Sequence, residues 1–164
     1  MADRFLGIYM NDQLALGIGW RELARRAQRS NDGTDLGDAL ARVAQGIAED
    51  IETFATIMRR LGISKNPVKT TGAIAGERLG RLKLNGRLRG YSPLSRFVEL
   101  DFLVMGIDRK TQLWSNLRDL AGVGARLPDV DFDELIARAE RQRAELEPFR
   151  AEAGRDTLRI DAQR

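Results

Sequence analysis

Four polar residues interrupt apolar stripes at helical spacing: Gln13, Asp50, Lys110 and Gln142. A carboxylate and an ammonium facing each other in a low-dielectric interior have two uses. They can neutralise one another while the two amides fill the remaining donor and acceptor positions, which fixes helix register as a buried polar residue does in a coiled coil. Alternatively, Asp50 poised by Lys110 is a general acid or base lining a small ligand pocket. Other chemistry is removed by composition. With no cysteine and no histidine, the chain has no disulfide, no thiolate nucleophile, no imidazole base and no metal site built on those ligands.

The elements that must position these four residues are helical. From Phe5 to Arg29 the larger apolar residues Leu6, Tyr9, Leu16, Trp20, Leu23 and Ala27 recur at three- and four-residue steps, predicting a first helix over about 4–29. Ser30-Asn31-Asp32-Gly33 reads as a turn, and Thr34 or Asp35 caps a second helix over 35–61. Its seam is Leu36, Leu40, Val43, Ile47, Asp50, Phe54, Ile57 and Leu61, closed by Gly62.

Pro67 and its polar surroundings break this pattern, and a short helix is expected over 73–84 within a long crossover. Gly72, Gly76 and Gly80 would give that helix one bare face for close packing. Ser92-Pro93 opens a third helix over 93–121, with a capping hydroxyl and proline in the first turn. Phe97, Val98, Leu100, Phe102, Leu103, Val104, Met105 and Ile107 cover nearly its whole circumference. It therefore needs cover from the crossover or from a second subunit. Asp131 and Glu134 form a capping box, with Val130 and Leu135 as a hydrophobic staple, at the start of a fourth helix over 132–153. Glu134-Arg138, Arg141-Glu145 and Arg143-Glu147 are opposite charges four apart, expected on its wet face. Pro148 is expected to kink or end it, leaving a short flexible C-terminal tail.

At 164 residues, 43% hydrophobic and 31% charged, this is the make-up of a single all-α domain with a buried core. If the crossover runs lengthwise, the third helix lies parallel to the second, and Gln13, Asp50 and Lys110 fall within roughly 5 Å of one level, with Gln142 in reach. An antiparallel third helix would move Lys110 roughly 8 Å from Asp50. Charge is uneven as well. Lys65, Lys69, Arg78, Arg81, Lys83, Arg87 and Arg89 all fall in residues 63–91 against the single acid Glu77, and the rest of the chain is slightly acidic. Such a patch could meet phosphates of nucleic acid or of lipid headgroups, but with no recognition motif beside it the reading is first a solvated face.

The stretches Tyr9-Met10-Asn11-Asp12-Gln13-Leu14-Ala15, Gly80-Arg81-Leu82-Lys83-Leu84-Asn85-Gly86-Arg87-Leu88 and Tyr91-Ser92-Pro93-Leu94-Ser95-Arg96 resemble an uncharacterised bacterial branch of the ferritin-like four-helix-bundle superfamily. The resemblance implies a bundle whose long crossover joins helices two and three. Metal-bearing members bridge two ions with carboxylates and Glu-x-x-His pairs, and this chain has no histidine to offer. Glu49 and Glu52 flank the seam and are expected to face solvent, which leaves Glu99 as the remaining ligand candidate.

These readings lead to a non-catalytic, ferritin-like bundle without a di-metal centre or other cofactor, acting as a homodimer or on a protein partner. A carboxylate-only metal oxidoreductase is the alternative, and binding of nucleic acid or anionic lipid through the basic crossover is a second. The start Met1-Ala2-Asp3-Arg4-Phe5 carries an acid where a secretion signal has its basic region, and no apolar run approaches a membrane span. A cytoplasmic protein is therefore expected.

Overall fold

The computed structural model describes residues 2–67 and 91–160. Among these residues the chain is all-helical, with no strand. Four long helices match the periodic segments: α1 (Ala2–Ser30), α2 (Asp35–Arg60), α3 (Pro93–Ser115) and, after the one-turn α4 (Val123–Arg126), α5 (Phe132–Leu158). The expected helix over 73–84 and its glycine spacing lie outside the described residues.

Local chemistry explains the ends. Thr34 accepts from Gly37 N at 3.1 Å and so caps α2, while Gly62, at φ +72°, turns the chain so that Ile63 N reaches back to Met58 O at 2.9 Å. Ser92 accepts from Ser95 N at 3.1 Å at the head of α3. Asp131 does the same for Glu134 N at 2.9 Å. The expected capping box is only half formed, because the Glu134 carboxylate turns to Arg141 at 2.5 Å.

Two expectations about helix ends change. The third helix does not run uniformly to 121, since α3 passes into a π-helical turn at Asn116–Leu120. There Ala121 N bonds Asn116 O at 2.9 Å, and Gly122 at φ +65° ends the run. The fourth helix runs through Pro148 and on past its expected end at 153, to Leu158. Leu146 and Ala153, buried on either side of the proline, carry the stripe past the missing donor.

Side-chain pairs fix the directions. Gly17 packs on Ile51 and Gly7 on Ile63, so α1 and α2 are antiparallel. Arg26 meets Glu99 at one end of the α1/α3 contact and Tyr9 meets Asn116 at the other, so these helices are antiparallel too. Arg42–Glu145 and Arg60–Asp129 give the same relation for α2 and the chain around α5. Arg150–Asp101 and Arg143–Asp108 do so for α3 and α5. It follows that α2 and α3 run parallel, on opposite corners of a four-cornered bundle. The chain leaves α2 at one end of the bundle and enters α3 at the other.

Two buried asparagines mark those exits. Asn11 donates to Ser64 O at 3.1 Å and accepts from Asn66 N at 2.6 Å. Asn31 donates to Ala27 O at 2.8 Å and to the Tyr91 hydroxyl at 3.0 Å. Between them the apolar core falls into two clusters. One holds Leu23, Leu40, Val43, Ile47, Leu103, Ile107 and Leu146, and the other Met10, Phe54, Ile57, Met58, Trp114, Leu117 and Phe132. Every seam position of α2 from Leu36 to Ile57 is buried, Asp50 included.

Candidate functional site

Asp50 occupies the gap between the two core clusters and is 4% exposed. Lys110, arriving from the opposite corner on α3, donates from Nζ to Asp50 Oδ2 at 2.5 Å and also to Gln142 Oε1. Arg138 of α5 donates from Nη2 to Asp50 Oδ1, and its Nη1 lies 3.9 Å from the exposed Glu49. A Cβ on Gly46 would stand 2.2 Å from Gln142 Nε2, so the amide lies over bare α2 backbone to reach the lysine.

Three of the four expected layer residues, Asp50, Lys110 and Gln142, are thus in one hydrogen-bonded group. Gln13 is not hydrogen-bonded to them. It lines a cavity of ≈ 60 Å³ that separates α1 from the other three groups, together with Leu16, Trp20, Ile51, Lys110 and Trp114. Beside the cavity the Trp20 ring lies close on bare α3 backbone, where a Cβ on Gly106 would come within 2.6 Å of it. Trp114 lines the cavity as well, while its Nε1 is buried without an acceptor.

Arg138 was expected on the wet face with Glu134 and is instead the second cation on Asp50. Its spacing carries the signal: Leu135, Arg138 and Gln142 are three and four apart and share a face. The two other surface pairs also rearrange in part. Glu145 goes to Arg42 at 2.5 Å, while Arg143 reaches both Asp108 at 2.9 Å and Glu147 at 3.9 Å.

Electrostatics pull Lys110 two ways. Burial pushes its ammonium below the ordinary lysine value, the Asp50 carboxylate pulls it back up, and Arg138 adds a smaller downward push. Asp50 has a cation on each oxygen. That arrangement suits neutralisation better than proton transfer.

A metal centre does not fit these residues. Glu99 lies eleven residues from Lys110 along α3, about 16 Å of helix, and its Oε1 is held by Arg26 Nη2 at 2.8 Å. Among the described residues no three acids cluster as a ligand set would require, and Glu49 and Glu52 are exposed. Glu99 does share its surroundings with Tyr91. Burial pushes that phenol up to about 12, the Asn31 hydrogen bond pulls down, and the Glu99 charge pushes further up.

Of the basic patch, Lys65 is exposed. Lys69, Arg78, Arg81, Lys83, Arg87 and Arg89 lie outside the described residues. No helix among the described residues is long and apolar enough to cross a membrane. The apolar circumference of α3 is partly uncovered: Phe102 is 37% and Met105 55% exposed, with Phe102 6.5 Å from the Trp20 ring. Comparison with protein-family models, curated proteins and solved structures finds no match.

Proposed function

We propose that the chain is a ferritin-like bundle without a metal centre, non-catalytic and cytoplasmic, that acts by self-association through the face formed by α1 and α3. The uncovered row of Phe102 and Met105 carries this reading. Two large apolar side chains one helical turn apart, flanked by Trp20, make the kind of patch that a monomer normally buries or uses. The parallel placement of α2 and α3 supports the ferritin-like topology. The ion-pair group around Asp50 supports a structural rather than a catalytic centre, since each carboxylate oxygen is already taken up by a cation.

A two-fold dimer would set α3 against its own copy, so each Met105 is buried once per subunit and one charge there acts twice. Sedimentation velocity of the wild type and of Met105→Glu is the test. A concentration-dependent dimer that the substitution converts to monomer is the expected result. A wild type that stays monomeric from micromolar to millimolar concentration, or a dimer indifferent to Met105→Glu, would overturn it.

A further inference from the structure

The end of the bundle where α1 begins and α2 stops gathers cations that have no anion. Arg4 and Arg126 line a groove on one side of the loop Gly62–Ser64, and Arg59 and Lys65 line a groove on the other. All four are exposed, and among the described residues none of them is ion-paired. The acids that follow α3 are held elsewhere. Asp129 is on Arg60, Asp119 and Asp133 are on Arg118, and Glu134 is on Arg141, while Asp131 caps α5. Neither groove has an acid in its lining, so this tip presents a local excess of positive charge that attracts an anionic surface.

The same tip exposes hydrocarbon. Leu120 is 81%, Phe5 66% and Ile8 44% exposed. The Tyr9–Asn116 hydrogen bond sets their register: Phe5 and Leu120 each lie four residues beyond it toward this end, at about one level on neighbouring elements. Projecting side chains of this kind beside free cations suit the interface of an anionic bilayer, where hydrocarbon enters below the headgroups and cations stay among the phosphates. A nucleic acid would instead draw on aromatic platforms, and Leu120 and Ile8 offer none. The opposite end differs in charge. It exposes Leu158 and Ile160 too, but its groove sets Asp35, Glu152 and Asp156 against Arg96.

We infer that this end of the bundle docks on anionic membrane, its four free cations meeting lipid phosphates while Phe5, Ile8 and Leu120 enter the boundary between headgroups and acyl chains. No helix among the described residues can cross a membrane, so the attachment is peripheral. A few apolar side chains or a few charges alone hold a protein only marginally, and the two together give reversible binding that depends on both. The residues differ from Phe102 and Met105, so the inference stands apart from self-association.

Co-sedimentation of the full chain with vesicles in about 0.15 M salt is the test. Vesicles of phosphatidylcholine containing about one-third phosphatidylserine should bind the chain at least about tenfold more strongly than phosphatidylcholine alone. Arg4→Glu with Arg126→Glu should weaken that binding about tenfold or more, and Phe5→Ser with Leu120→Ser about tenfold. All four positions are exposed, so both variants should keep the native circular dichroism spectrum. Leu158→Ser with Ile160→Ser, at the other end, should bind as the wild type does. Absence of binding to the anionic vesicles, equal binding to the neutral ones, full binding by either folded tip variant, or an equal loss in the Leu158 and Ile160 variant would each overturn the assignment. Tighter binding to a DNA duplex than to the anionic vesicles would give the cations to nucleic acid and overturn it as well.

Discussion

Asp50 and Glu99 are both buried acids, 4% and 6% exposed, yet their surroundings solve the same problem differently. Asp50 sits between two core clusters and has a cation on each oxygen, from side chains that are themselves 13% and 27% exposed. Glu99 sits near the chain's re-entry at Tyr91, with one arginine that is 30% exposed and an Oε2 that is buried and unaccompanied. A carboxylate deep in the bundle needs full enclosure by partners, because water cannot make up any shortfall. Glu99 is held by a half-made set, with one oxygen on Arg26 and the other without a hydrogen bond. The lesson is that burial of the acid alone does not set its energetic weight; the depth of its partners does.

The largest effect should come from Asp50→Leu, which leaves Lys110 and Arg138 facing each other without a counter-ion. A loss on the order of 4 kcal/mol is expected in urea denaturation. Lys110→Met should cost less, on the order of 2 kcal/mol, because Arg138 still neutralises Asp50. The double change Asp50→Leu with Lys110→Met should recover only part of the loss, since Arg138 then remains unpaired apart from distant Glu49. Adding Arg138→Leu should complete the recovery. Equal and additive single effects would show that the three groups do not act together and would dissolve the contrast with Glu99.

Next in size is Gly106→Ala, which probes the seam beside the layer. The new methyl would stand 2.6 Å from the Trp20 ring, so the indole or the helix that carries it must give way. A cost of about 1–3 kcal/mol is expected for such overpacking, against a gain of about 1 kcal/mol in helix propensity. A net gain would mean that Trp20 moves freely off α3 and is not fixed by that contact.

How much of this was legible in the sequence follows from what periodicity encodes. The α2 seam, with Asp50 as its polar member, could be read because burial repeats every three or four residues along one element. The same logic aligned Lys110 with Asp50 once α3 was set parallel to α2. Arg138 was misplaced because an i,i+4 partner, Glu134, offered a plausible surface pair, and nothing local says that a long arginine will reach inward past it. Gln13 was placed at the right level but in the wrong contact, since spacing gives height along a helix and not which neighbour a side chain reaches. Pro148 misled in the opposite way: its local penalty is real, but tertiary packing on both sides outweighs it. The asparagine clamps Asn11 and Asn31 had no periodic signal at all. Each satisfies backbone groups of chain far away in sequence, which no pattern within one helix records.

Glu99→Gln sharpens the comparison from the other side. The neutral side chain frees Arg26, which is already part-exposed and can turn to water, and the new amide can donate toward the Tyr91 hydroxyl. The expected cost is below about 1 kcal/mol, several-fold less than for Asp50→Leu. A loss as large as that at Asp50 would show that depth of the partners is not what separates the two sites.

The smallest effect is a titration, and it tests whether Glu99 faces Tyr91. Burial is the main cause that lifts this phenol to about 12 from its ordinary 10.0, with the Glu99 charge adding to it and the Asn31 bond opposing it. Between those two values the folded state keeps a proton that the unfolded chain has released. The Tyr91 contribution to stability is therefore whole below pH 10 and is lost as pH rises toward 12. Phenolate absorbance in a Tyr9→Phe background reads Tyr91 alone, because the chain has two tyrosines, and its midpoint should lie near 12. Glu99→Gln in that background should lower the midpoint by removing the neighbouring negative charge. The fall in stability above pH 10 should be steeper with Tyr91 present than in Tyr91→Phe, since other groups titrate equally in both proteins. A midpoint at the ordinary tyrosine value would place the phenol in water, and one that ignores Glu99→Gln would leave the unaccompanied carboxylate oxygen facing apolar side chains instead.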